Sequence, residues 1–117
     1  MAANDPIAYW NGPVGERWTR EQEALDRAFA GLTERLFEAA AIRPGERVLD
    51  VGCGCGTTTF GAAAAAGPAG KAVGVDVSAP MLARARERAA GAATVSFELA
   101  DAGTFAFEPS FDLAMSR

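Results

Sequence analysis

Three glycines at alternate positions, Gly52, Gly54 and Gly56, separate the apolar run Val48-Leu49-Asp50-Val51 from the threonines at 57–59. The run reads as a buried strand and the threonines as the start of a helix. Glycines at such a junction let the backbone turn sharply and approach a ligand more closely than a Cβ would allow. The helix start adds unpaired N–H groups and a partial positive charge. Twenty residues after Gly56, Asp76 closes a second apolar run. A carboxylate there can accept hydrogen bonds from both hydroxyls of a ribose. Asp101 repeats the theme after a third run. With Asp50, three carboxylates thus sit at the carboxyl ends of three consecutive strands, the edge of an open α/β sheet where ligands bind. Each feature also has a plainer reading: a tight turn for the glycines, a helix cap for Asp76, an Asp-Ala-Gly turn for Asp101.

Composition narrows the chemistry. The 117-residue chain contains no histidine, which removes Ser-His-Asp and Cys-His nucleophile pairs, histidine bases and histidine metal sites together. Cys53 and Cys55 are its two cysteines. Two residues apart, they cannot easily bridge each other, and no further ligands complete a zinc site. They read as reduced thiols in a tight loop, and no metal is expected. Eleven basic against fifteen acidic side chains leave a net charge of −4, which argues against a nucleic-acid partner. Residues 1–6 show no basic region followed by an apolar run. The small-residue stretch 61–70 is too short and too rich in Ala and Gly to cross a bilayer. A cytoplasmic protein without a membrane span is the expectation.

These residues need elements to hold them. The length suits one small domain. Half the residues are hydrophobic and 22% are charged, as in a globular chain. Alanine contributes 27 residues but little bulk, so the core must rest on a modest set of larger apolar side chains. Residues 1–18 read as an irregular aromatic segment, broken by Asn11-Gly12-Pro13 and Gly15 and bearing Tyr9, Trp10 and Trp18. A leading helix is predicted over 19–42. Thr19 and Gln22 have capping-box spacing, and Leu25, Phe29, Leu32 and Leu36 form one apolar stripe. Pro44-Gly45 ends it. The core over 43–117 then alternates: strand 48–51, helix 57–66, strand 71–76, a helix capped by Ser78 and closed by Gly91, strand 94–99 and strand 111–115. Alternating strands and helices imply an α/β fold, a parallel sheet with helices on both faces.

The glycine register selects among nucleotide ligands. A phosphate-cradling loop needs Gly-Lys-Ser/Thr, whereas Gly56 is followed by threonines. A dinucleotide site wants Gly-x-Gly-x-x-Gly; here the third glycine comes one residue early. In their order and spacing, VLDVGCGCGTTT, GVDVSAPML and FDLAMSR resemble the first, second and fourth motifs of class I S-adenosylmethionine-dependent methyltransferases. The nearest likeness is to the bacterial ubiquinone/menaquinone-biosynthesis-like group, over about residues 43–117.

The resemblance implies a three-layer Rossmann-like methyltransferase fold and S-adenosylmethionine as cofactor. By that likeness Gly52, Cys53, Gly54 and Gly56 line its methionine part, and Asp50 lies near its amino group. Asp76 holds the ribose hydroxyls. Val77 and Met81 pack beside the adenine, though both equally suit ordinary helix–sheet packing. Asp101 meets the adenine amino group, Ala102 offers its backbone N–H, and Ser116 faces the transfer site. Trp10 and Trp18 either cover the cofactor as a lid or pack on the nearest helix. No catalytic base is assigned, because displacement at an activated methyl group needs mainly alignment and exclusion of water.

The family has seven strands in the order 3-2-1-4-5-7-6, so the four strands here imply 3-2-1-4, truncated after the fourth. An uncovered fourth strand would be prone to self-association. The implied function is methyl transfer to a small-molecule acceptor, with this chain as the cofactor-binding half. A non-catalytic S-adenosylmethionine-binding half-domain completed by a partner chain is the alternative, and an NAD-type Rossmann domain a further one.

Overall fold

The computed structural model describes residues 4–107 and 110–117. Four strands, β1 (Arg47–Val51), β2 (Lys71–Asp76), β3 (Val95–Leu99) and β4 (Leu113–Met115), pair in the order β3-β2-β1-β4. Every pairing is parallel, so the implied 3-2-1-4 order is present. The order reverses between β1 and β4, the switch point at which open sheets of this kind bind ligands.

Among the described residues six helices accompany the sheet: α1 (Pro6–Asn11), α2 (Pro13–Arg20), α3 (Gln22–Ala28), α4 (Ala30–Ala40), α5 (Thr57–Ala66) and α6 (Ala79–Ala89). The limits of α5 and β2 coincide with those expected from the sequence. Ser78 caps α6 as expected, its hydroxyl accepting from the Met81 amide.

The amino-terminal region departs from expectation. Residues 4–18 of the supposedly irregular segment are largely helical; residues 1–3 lie outside the described residues. Asp5 caps α1 through the Ile7 amide, and Pro6 sits in the first turn. Gly12 precedes α2, and Pro13 occupies its first turn. The breakers thus start two helices rather than abolish both, because proline is pre-organised for a first helical turn. Gly15 is inside α2, where a Cβ would collide with the Trp10 carbonyl oxygen. The expected 19–42 helix is divided at Glu21 and Phe29. Thr19 does not form a capping box. Its hydroxyl donates to the Gly15 carbonyl one turn back, while the Gln22 amide reaches Asp26. Threonine back-bonding of this kind bends helices, and Thr33 repeats it to Phe29 at the second break.

The fold class stands, but the distribution of helices differs from that expected. Asp50, Gly74 and Phe97 are neighbours across the sheet and share one face. Thr58 and Thr59 of α5 bond Asp50, and Leu82 and Ala85 of α6 pack on Phe97. Leu36 and Phe37 of α4 pack with Val48 and Ala62 on that face too. These three helices therefore cover one side. The opposite face carries Leu49 and Val75, 8% and 1% exposed, so it is covered as well. The right-handed rule assigns the described residues of the β3–β4 crossover, 100–107 and 110–112, to that face. Among its described residues there is no helix; Phe105, Phe107 and Phe111 meet edge to face instead.

The alanine-rich α5 sits close to the sheet. Ala62, Ala63 and Ala66 are buried, and Gly74 opposite leaves room for three neighbours. A Cβ on Gly74 would lie 2.7 Å from the Cys53 sulfur and 2.8 Å from both Phe97 and the Thr59 hydroxyl. We expect Gly74→Ala to cost about 1–3 kcal/mol by overpacking. Gly31→Ala, in α4 with nothing within 4 Å, should instead stabilise by about 0.4–1 kcal/mol. Urea denaturation of the two variants checks both signs.

Candidate functional site

The site begins where β1 ends. The Gly52 and Cys53 amides both donate to the Val75 carbonyl at 2.8 and 3.1 Å, and the Gly54 amide donates to Asp76 Oδ2 at 2.7 Å. The other oxygen of Asp76 accepts from the Ser78 amide at 2.9 Å. One carboxylate therefore joins the turn after β1 to the turn after β2. A carboxylate has about four lone-pair sites, so capacity remains beyond these two bonds.

A cavity of about 410 Å³ opens at the carboxyl ends of β1, β2 and β3. Gly52, Gly54, Asp76 and Val77 line it, and Met81, Asp101 and Ala102 extend the same wall. Trp10 and Trp18 line it from α1 and α2. They also pack edge to face with centroids 5.3 Å apart, the plainer packing reading of these aromatics. The covering helices are tied down locally. The Asn11 side chain donates to the Val77 carbonyl and accepts from the Ala79 amide, while the Ser78 hydroxyl donates to the Trp10 carbonyl.

A smaller cavity, about 230 Å³, adjoins the first and shares Gly52, Gly54 and Met81 with it. It lies between the glycine turn and the α3–α4 region. Leu25, Phe29 and Leu32, expected as part of one apolar helical stripe, form its apolar wall, and Cys53 and Cys55 line it too. Burial pushes both thiols above the ordinary cysteine value, which keeps them protonated and unreactive.

Sequence reasoning missed Asp26 and Arg117. Arg117 lines both cavities and Asp26 the smaller one. Asp26 lies in no motif, and its place depends on how α3 crosses the glycine turn. Arg117 lies two residues past β4, next to Ser116, within the FDLAMSR segment that carries the family resemblance.

Three expected residues stand outside both cavity walls. The Ser116 hydroxyl donates to the Val51 carbonyl at 2.8 Å. Gly56 has φ +91°, and a Cβ there would meet Phe97 at 2.9 Å and Phe60 at 3.0 Å. It is glycine for backbone conformation and helix packing rather than for ligand approach. Asp50 is fully buried; its Oδ2 accepts from the Thr58 and Thr59 hydroxyls at 2.6 and 2.7 Å. Its Oδ1 is buried without a hydrogen-bond partner. Asp101 lines the cavity, but its Oδ1 also accepts from the Gly103 amide, the plainer turn reading.

Comparison with known proteins follows the same lines. Residues 42–117 match the family model described as a methyltransferase domain, and the chain belongs to that family of class I methyltransferases. The nocamycin O-methyltransferase of Saccharothrix syringae is 42% identical over 90 residues, covering 73% of this chain and 31% of that protein. A phosphoethanolamine N-methyltransferase of Haemonchus contortus, solved with S-adenosyl-L-methionine, superposes with a TM-score of 0.65 at 32% identity, covering 74% of this chain and 20% of the other. A protein-L-isoaspartate O-methyltransferase gives a TM-score of 0.65 at 25% identity, covering 73% and 28%. The chain thus spans less than a third of each of these proteins. S-adenosylmethionine is the cofactor of the family.

Burial raises the Asp50 carboxyl above its ordinary value of 3.8, and the two threonine hydroxyls pull it partly back. A raised folded-state value means the folded chain holds this proton more tightly. Asp50 therefore stabilises most below pH 3.8, and that contribution is lost as pH rises through the folded value. Asp50→Asn removes the charge at nearly constant shape. Its melting temperature relative to the parent should climb from pH 3 upward and then level off. A difference independent of pH would show that Asp50 titrates normally.

Proposed function

We propose that this chain binds S-adenosylmethionine in the larger cavity and serves methyl transfer to a small-molecule acceptor. The observation that carries this is the convergence of Asp76, Asp101 and the Gly52–Gly54 backbone on one cavity under Trp10 and Trp18. The donor set suits the group. Asp76 retains acceptor capacity for ribose hydroxyls, and Val77 and Met81 offer apolar contact for a purine. Asp101 and Ala102 supply an acceptor and a backbone N–H at the β3 end. Carboxylates at these positions favour a cation and disfavour the pyrophosphate of a dinucleotide. When bound, the cofactor supplies an activated methyl group on a cationic sulfur. The chain's own contribution is to hold and align, and to exclude water through the tryptophan-bearing helices.

A small acceptor suits a cavity of about 410 Å³ walled by Trp10 of α1 and Trp18 of α2. The likeness to the nocamycin O-methyltransferase points the same way.

Isothermal titration of the chain with S-adenosylhomocysteine, with NAD as control, tests the reading. S-adenosylhomocysteine should bind one to one and NAD should not. Asp76→Asn should weaken binding at least tenfold, since a hydrogen bond to a charged group contributes about 1.5–3 kcal/mol. Binding of NAD alone would overturn the reading.

A further inference from the structure

Helix α1 is held by something other than burial. It spans six residues and buries none of them. A helix of that length does not persist by itself in water. Its last turn is instead bonded to three consecutive residues after β2. Asn11 Nδ2 donates to the Val77 carbonyl at 2.6 Å and to the Ile7 carbonyl one turn back at 2.8 Å. Asn11 Oδ1 accepts from the Ala79 amide at 2.8 Å. Between these two grips, the buried Ser78 hydroxyl donates to the Trp10 carbonyl at 2.7 Å. The partners fix the orientation of the Asn11 amide, with two carbonyls at its nitrogen and one N–H at its oxygen. Aspartate there would lose both donations, and alanine all three bonds. Gly15 serves the same joint. A Cβ on it would lie 1.8 Å from the Trp10 carbonyl oxygen and 3.1 Å from the Ser78 hydroxyl, so a side chain there would force the two apart.

The turn that Asn11 grips also serves the larger cavity. Asp76 and Val77 line that cavity, and Trp10 lines it from α1, whereas Asn11 is not in its wall. The Ser78 amide holds Asp76 Oδ1 at 2.9 Å. Four consecutive residues, 76–79, thus face a ligand site or bond the end of α1, or do both. Resting on the cofactor reading above, we infer that Asn11 is a positioning residue for ligand binding. It clasps the Val77–Ala79 turn and thereby sets Trp10 in the cavity wall. A ligand against Asp76 and Val77 stiffens the turn on which the clasp closes, and a closed clasp keeps the Trp10 wall in place. By linkage each favours the other by the same factor. Loss of the clasp falls mainly on dissociation, because an intact wall retains a bound ligand.

The chain's two tryptophans both line the larger cavity, so their fluorescence reads this wall. Without ligand, Asn11→Ala should raise acrylamide quenching of tryptophan. Its melting temperature should stay within about 2 °C of the parent, since a terminal helix opens independently of the core. Titration calorimetry should show S-adenosylhomocysteine binding weakened about tenfold, and stopped-flow fluorescence should place most of that loss in faster dissociation. In a Trp10→Ala background, Asn11→Ala should change the affinity by less than about twofold, the signature of a residue acting through another. Equal losses in both backgrounds would overturn the inference. So would an unchanged affinity, or a matching fall in the unliganded melting temperature, which marks a general structural role. If the parent does not bind S-adenosylhomocysteine, the cofactor reading fails by itself. Quenching then decides the clasp, and unchanged quenching in Asn11→Ala overturns it.

Discussion

The site depends on one carboxylate reaching across two strands. Asp76 accepts the Gly54 amide with one oxygen and the Ser78 amide with the other, so the turns after β1 and β2 are fixed to a single planar group. A glycine-rich turn has the most conformational freedom to lose on folding. Here the cost is offset by bonds from the end of β2: two amides to the Val75 carbonyl and one to Asp76. Asp76 also lines the larger cavity, so the group that orders the turn stands in the cavity wall. A pre-ordered loop loses less entropy on binding than a floppy one.

Around that joint the molecule is organised by close approach. Alanines of α5 and the absent side chain of Gly74 let α5 lie near the sheet, and this brings Thr58 and Thr59 onto Asp50. Asp50 is then a structural anchor, its charge disfavoured by burial and only half satisfied by hydroxyls. The division of labour among the strand-end acids follows from depth. Asp50 points under α5 and is sealed, Asp76 stands at the cavity edge, and Asp101 lies in an exposed turn. Three acids that look alike in the sequence thus have three different environments.

The amino-terminal helices complete the cavities from above. Asn11 and the Ser78 hydroxyl fasten α1 and its neighbour to the start of α6. Trp10, Trp18 and Phe29 form a continuous aromatic contact, the last pair stacked with centroids 6.1 Å apart. The bends at Glu21 and Phe29 let α3 pass over the glycine turn. A straight helix over 19–42 would carry its apolar stripe past the site rather than around it. The stripe at Leu25, Phe29 and Leu32 therefore becomes a cavity wall, while Leu36 alone of that set packs into the core.

From Arg47 onward the elements and the residues gathered near the strand ends were legible in the chain itself, while the strand order followed from the family likeness. The elements and gathered residues are marked locally: apolar runs of strand length, glycines at the turns, a Ser78 cap, and acids at Asp50 and Asp76 in the ends of β1 and β2 and at Asp101 two residues past β3. Local signals of this kind survive folding because nothing in the tertiary structure opposes them. The tertiary structure alone decided which of the strand-end residues face a cavity. Gly56 and Asp50 share the motif with Gly52 and Gly54 but turn toward α6 and α5, because side-chain direction depends on the helices packed against the turn. Tertiary structure also decided that Pro6 and Pro13 begin helices, that Thr19 back-bonds instead of capping, and that Asp26 meets Arg117 from ninety-one residues away. Such encounters have no sequence signature, because they arise only when separate elements are brought together by burial.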